Sequence, residues 1–574
     1  MGHGVRGRCP DHRWGRQRDR RRGEGARRRW PAAPDGVRPL VRPRRVPGCG
    51  RDPGLRGGAI VRQHLLTFTI LFPLVGATLI ALVGRRIDDR DTRVLALLTT
   101  LATFGVSLLV LRDFQTGATG YQMVDRASWV RSLGLQYLVG VDGISLWLVL
   151  LTTFLFPISV LASWKIGTNV ARYMVAILVL ESAVLGSFVA LDLLLFFLFF
   201  EAILVPMYLI IGGWGSGNRV YAAIKFFLFT MAGSAFLLVG ILFLYSRSGQ
   251  LGPPSFELGR LTQVAGGLPV PTARWLFLAF FVAFAVKVPL FPLHTWLPDA
   301  HTEAPTAGSV LLAGVLLKVG TYGLLRFNLS MFPQASIHFA TFVSVLAVIG
   351  IIYGAVCALI QTDVKRLVAY SSVSHLGFVV LGIFAFTQQA VTGGVLQMVN
   401  HGLATGALFL LVGMVYERTH TREFAEMGGL AGVMPWLLGA FLFVVFASAG
   451  LPGLSSFVGE FLVIVGTFAV SHLFGALSAV AVVLGAIYLL WSYQRVAYGP
   501  LREEHRYLPD LSGREVAVLA PVLALLLVFG LYPSLLTRSI DPATCVTIEQ
   551  VRSSQTCADV GGPVVPAAAE GRQP

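Results

Sequence analysis

Lysine is scarce in this sequence and unevenly placed. Five lysines stand against 41 arginines, and three of them, Lys225, Lys287 and Lys318, fall inside long apolar runs. Arginine keeps its proton in a protein, whereas a buried lysine can give its proton up. A charge at the bilayer centre costs at least about 2.5–3.5 kcal/mol on insertion scales. Lysines placed at that cost point to proton handling. The competing reading, a static ion pair that locks helices, weighs most for Lys225, which lies nearest the end of its run. The acids inside apolar runs are Glu181, Asp192, Glu201 and Glu460. Glu201 has no polar neighbour between Leu198 and Pro206, so it needs a partner from another segment, and Lys287 is the natural one. Glu181 and Asp192 read as capping or structural groups near a span boundary. His375 and His401 also lie inside runs, beside Ser371, Ser372, Ser374 and Asn400. Such polar surroundings suit a proton relay better than a haem. His294 and His301 flank Trp296 to Ala300, just past a proline-rich interruption, and are secondary candidates with Lys225.

The elements that must hold these groups are membrane spans. Hydrophobic residues make up 55% of the 574 residues and charged residues 13%, with a mean hydropathy of +0.70. A soluble surface needs about twice that charge. Runs long enough to cross about 30 Å of hydrocarbon recur 14 times. Three lie in residues 64–164, five in 171–327, five in 336–496, and the last follows a loop within 497–537. Residues 538–574 read as a disordered C-terminal tail. Pro289 and Pro292 interrupt one run, and Leu451-Pro452-Gly453 another, so both helices should break near mid-membrane, where unwound backbone must face protein or water. Glu201/His375, Lys225/His401 and Lys287/Glu460 are 174, 176 and 173 positions apart, matching helix for helix between the two five-span blocks. An odd span count inverts the second block across the membrane. The expected fold is therefore an all-α polytopic membrane protein of about 14 transmembrane helices, with two inverted five-helix repeats, each holding a broken helix.

Charge gives the orientation. One side collects 15 Lys/Arg in its loops and the other 9, so the richer side is expected to be cytoplasmic and both termini outside. The leading segment opposes this. Residues 1–62 hold 18 arginines, no lysine and five acids, and read as an Arg-rich disordered tail whose start codon is set too early. The rest of the chain is nearly neutral, so nothing supports nucleic-acid binding. The five cysteines form no CxxC or Cys/His cluster, which argues against metal or iron–sulfur centres. Cys545 and Cys557, 12 positions apart, could close a disulfide if they face an oxidising compartment.

The run from Ala285 to Pro305, AVKVPLFPLHTWLPDAHTEAP, resembles the signature of the antiporter-like subunits of respiratory complex I, NADH-quinone oxidoreductase. LLKVGTYG at 316–323, DVKRLVAYSSVSH at 363–375 and Asn400-His401-Gly402 extend the resemblance, which covers about residues 64–540. Glu460 in the second broken helix is the mark of the M-type subunit, since L- and N-type subunits carry Lys there. The resemblance implies a proton path through Glu201, Lys287, Lys318, His375 or His401, and Glu460, with Glu460 as the last group before the outside. It implies that this chain binds no cofactor itself. NADH, FMN, iron–sulfur clusters and quinone would sit in partner subunits, and L- and N-type neighbours would flank this one in the inner membrane. A subunit of a multisubunit Na+/H+ antiporter shares the Lys287 signature and is the alternative. A purely structural membrane spacer is disfavoured, because it gains nothing from charge at mid-membrane.

Overall fold

The computed structural model describes residues 64–84 and 86–552. The Arg-rich segment 1–62 and Cys557 lie outside the described residues, and with them the expectations made for that segment and for a Cys545–Cys557 bond.

Two helices, α1 (Leu65–Val83) and α2 (Asp89–Asp113), lead into an antiparallel hairpin of β1 (Gln122–Val130) and β2 (Leu135–Val141). α3 (Gly143–Ala162) completes the first three spans. The first five-span block opens with α4 (Val170–Val189), followed by α5 (Leu193–Ala202), which continues after Ile203 as α6 (Leu204–Trp214). α7 (Arg219–Ser248), a short α8 (Leu258–Gly266), and α9 (Val270–Lys287) come next. After an irregular stretch the chain resumes as α10 (Trp296–Glu303). The block closes on a span made of α11 (Thr306–Leu311) and α12 (Leu317–Gly323), with π-helical turns at Leu312–Leu316 and Leu324–Leu329. The second block comprises α13 (Pro333–Leu359), α14 (Val364–Ala385), α15 (Gln388–Thr419), the pair α16 (Pro435–Ser448) and α17 (Ser455–Phe468), and α18 (His472–Ala497). α19 (Gly513–Leu531) and α20 (Ser534–Val551) follow.

Thirteen of these segments are long and apolar enough to cross a membrane. α16 and α17, of 14 residues each, reach only about 21 Å apiece. Together, around the break at Leu451-Pro452-Gly453, they make the fourteenth crossing. The span starts are chemically marked. Asp142 accepts from the Ile144 and Ser145 amides in a capping box on α3, Asp192 caps α5, Asp363 caps α14, and Ser512 with Glu515 caps α19. Each satisfies amides that a helix start leaves without partners. Asp192 thus takes the capping role its position suggested.

The helices nearest the lysines pack through glycine. A Cβ on Gly320 of α12 would stand 2.8 Å from the Val288 amide nitrogen and 3.0 Å from the Lys287 Cβ. A Cβ on Gly402 of α15 would stand 2.6 Å from Leu151 of α3 and 2.8 Å from the Gly314 carbonyl. These contacts press α12 onto the end of α9 and seat α15 between α3 and the first π turn.

The C-terminal expectation needs correction. Residues 553–574 lie outside the described residues, and residues 538–551 lie within α20, which buries Leu536, Ile540, Ala543, Ile548 and Val551. Those positions repeat at helical spacing and form one apolar face. Ser539 accepts the Trp147 indole N–H at 2.7 Å, and Asp541 accepts from Thr392 Oγ1 at 2.7 Å, so α20 is tied to α3 and to the first turn of α15. Cys545 on this helix is disulfide-bonded.

Candidate functional site

The site begins where α9 ends. Lys287 is its last residue, and Val288 to Thr295 run irregularly before α10. The Trp296 indole donates to the Val286 carbonyl at 2.9 Å and fixes the two sides of the break. Lys287 is 1% exposed, and its Nζ has no hydrogen-bond partner among the described residues. It lies 4.8 Å from the centroid of the Phe200 ring and 5.9 Å from that of Phe226. The expected ion pair with Glu201 is therefore not closed here. The lysine takes the aromatic face, while Glu201, half-buried, faces both Ser234 and Lys287.

Between Lys318 and His401, and between His375 and Glu460, the contacts are direct. Lys318 is wholly buried on α12, and its Nζ meets the Ala313 carbonyl and lies 2.8 Å from His401 Nδ1. Ala313 belongs to the π turn, whose wider winding turns that carbonyl toward the lysine. The His401 and His375 rings have centroids 5.9 Å apart. His375 Nδ1 lies 2.7 Å from Glu460 Oε1, and the Tyr488 hydroxyl lies 3.3 Å from His375 Nε2. Gln397 donates to Glu460 Oε1 at 2.9 Å. Asn400 donates to the Ser455 carbonyl at 2.7 Å, tying α15 to the start of α17. Sequence reasoning offered His375 or His401 as the link; both stand in the string, in series.

Three of these groups lie near the middle of their spans. Lys318 is 12 residues from Thr306, His375 is 11 from Val364, and His401 is 13 from Gln388. At 1.5 Å per residue each lies about 17–20 Å into its span. The string therefore crosses from α12 to α17 along the middle of the bundle.

The secondary candidates separate. Lys225 Nζ lies 2.6 Å from Asp299 Oδ2, both partly exposed, so it is the ion pair that joins α7 to α10. His294 is buried against Phe291 and Tyr353. His301 is fully buried, stacked on Phe409 at 4.6 Å, and neither ring nitrogen has a partner among the described residues.

Two features escaped the sequence reading. Glu181 is not at a span boundary: it sits mid-way along α4, fully buried, with neither carboxyl oxygen hydrogen-bonded among the described residues. Counting from Asn169 would have placed it there. The second is a cavity of about 430 Å³ on the Lys/Arg-rich side, lined by Lys165, Lys365, Glu417 and Arg422 and by the Ala304–Ala307 linker. Lys365 is buried and donates to the Ala304 carbonyl. No spacing in the sequence joins these residues, which come from five segments.

Comparison with known proteins places the geometry in a family. Residues 190–485 match the family described as NADH:quinone oxidoreductase/Mrp antiporter, transmembrane. NADH-quinone oxidoreductase subunit M of Rhodobacter capsulatus is 47% identical over 502 residues, 85% of this chain and 97% of the relative. A chain in the structure of respiratory complex I from Thermus thermophilus with bound NADH superposes with a TM-score of 0.77 at 32% identity, covering 85% of this chain and 99% of that one. A chain of the Mrp complex from Dietzia sp. DQ12-45-1b gives 0.71 at 23% identity, over 86% of this chain and 52% of that one, which is a likeness of fold.

Proposed function

The chain belongs to the NADH-quinone oxidoreductase subunit M family, and on that premise we propose which of its residues carry the proton. It is a multi-pass, proton-translocating membrane subunit of complex I. The Mrp-type antiporter reading is weaker, because that likeness is lower in identity and covers half of the other chain. On our reading NADH, FMN, iron–sulfur clusters and quinone are bound by other subunits, L- and N-type subunits are the neighbours, and both termini face outside.

The observation that carries the path is the string Lys318, His401, His375 and Glu460, joined at 2.8 Å at one end and 2.7 Å at the other. A proton taken up from the cavity beside Lys365 passes His301 and reaches Lys318. One bridging water spans the gap between the two imidazoles. Glu460 beside the second break receives the proton and releases it outward. Glu201 and Lys287 set the timing. An ammonium in low dielectric is costly without a nearby anion. With Glu201 ionised, Lys287 holds its proton. With that charge neutralised or drawn away, the proton moves to Lys318, whose helix lies against Lys287 at Gly320.

The test uses reconstituted complex carrying Lys287→Ala or Lys287→Arg. Both variants are expected to assemble and to lose this subunit's share of pumping, because neither can cycle a proton. An acid–base group of this kind carries about a hundredfold or more in rate. Normal proton yield per NADH from Lys287→Arg would reduce the residue to a fixed charge.

A further inference from the structure

A second feature lies behind the relay helix α15. α2, α3, α15 and α19 enclose a groove of about 390 Å³, with Leu535 of α20 in its lining. Its walls are hydrocarbon: Phe104 and Leu108 of α2, Phe154 of α3, Leu403 of α15, and Leu525 and Phe529 of α19. The one polar group there, the Trp147 indole N–H, is already donated to Ser539. Nothing in the groove can recognise a polar ligand.

Its depth and its mouth narrow the choice of occupant. Along α2 it runs from Phe104 to Leu111, about 10 Å at 1.5 Å per residue. That fits within one leaflet, about 15 Å of the hydrocarbon core. Leu111 and Leu535 stand at the outer end; Arg112 follows Leu111 directly, and Arg538 lies one helical turn beyond Leu535. Arg112 is exposed and shares Asp113 at 2.9 Å. Arg538 is exposed, with no acid in ion-pair range among the described residues. These two guanidinium groups stand on the side that is otherwise poor in Lys and Arg. A site with a hydrocarbon slot and a cationic rim fits one chemistry.

We propose that this groove binds an anionic glycerophospholipid, with one acyl chain laid between α2 and α19 and the phosphate held by Arg112 and Arg538. The chain's inner end reaches Leu151, which leans on Gly402 next to His401. A bound chain thus seals the back of the relay helix against water without touching the relay.

Intact complex in detergent is incubated with phosphatidylglycerol carrying a photoreactive diazirine in its acyl chain, irradiated, and mapped by peptide mass spectrometry. Labelling is expected to concentrate on the α2 and α19 faces of the groove. Leu108→Trp, which fills the slot, should abolish it. Arg112→Gln and Arg538→Gln should each lower it about fivefold, the scale of one basic residue's attraction for an anionic headgroup. Phosphatidylcholine carrying the same chain should label less in wild type and equally in the arginine variants. The proposal is overturned if the exposed faces of α7 and α13 label as densely as the groove, if both arginine variants label like wild type, or if a quinone-tailed probe labels the groove and the lipid does not.

Discussion

At the scale of single residues, the chemistry rests on which groups can let a proton go. Glu460 is 3% exposed and is held by His375 at 2.7 Å and Gln397 at 2.9 Å. Glu460→Gln keeps a carbonyl that can accept both contacts but cannot take up a proton. Glu460→Asp keeps the acid and withdraws it by one methylene. In reconstituted complex we expect Gln to remove this subunit's pumping and Asp to retain a part of it. Equal proton yield from Gln and wild type would mean Glu460 serves structure alone. The burial of these residues was legible in the sequence, because a lysine or glutamate in an apolar run is expensive and stands out. Their pairing was not. Lys225 meets Asp299, 74 positions away, and His375 meets Glu460, 85 positions away, through side-chain directions that no spacing encodes. The Glu201–Lys287 pair was inferred from need alone; the two face each other without closing, and the lysine lies 4.8 Å from the Phe200 ring centroid.

At the scale of elements, the broken helices were readable from Pro289, Pro292 and Pro452, since proline removes a donor and crowds the turn before it. α20 was missed because its apolar positions are diluted by Thr, Asp and Pro542, leaving a stripe too thin to register as a span. Its tie to α15 carries a pH dependence. Burial pushes the Asp541 carboxyl above its ordinary 3.8, against an opposing hydrogen bond from Thr392. A carboxyl raised in the docked state binds more protons there than when undocked. Docking of α20 therefore weakens as pH rises from the ordinary carboxylate value through the raised one, and levels off above it. Asp541→Asn keeps the acceptor and removes the charge, so that slope should vanish. Amide exchange of α20, corrected for its intrinsic pH dependence, reads this directly; an unchanged slope in the Asn variant would assign it to another group.

At the scale of the whole molecule, an even number of crossings puts the start of α1 and the end of α19 on one side, which our proposal takes as the outside because its loops are the poorer in Lys and Arg. Cys545 is disulfide-bonded, as suits an oxidising compartment. An impermeant maleimide applied to intact cells should label Cys545 only after reductant. Absence of label even after reduction, in cells whose lysate does label, would invert the orientation and with it the exit at Glu460. The mid-span placement of Lys318, His375 and His401 has an electrical meaning. A charge that moves within one plane of the bilayer crosses no membrane voltage, so transfers along this string do no work against the proton-motive force. All the work, about 2.3 kcal/mol per charge for each 100 mV, falls on the legs that enter and leave that plane. Slowing the string, as with His401→Gln, should therefore lower the turnover by the same factor at every imposed potential, whereas narrowing the cavity beside Lys365 should make turnover steeply voltage-dependent. On the proposed path the lateral wire is electrically silent, and its two ends carry the load.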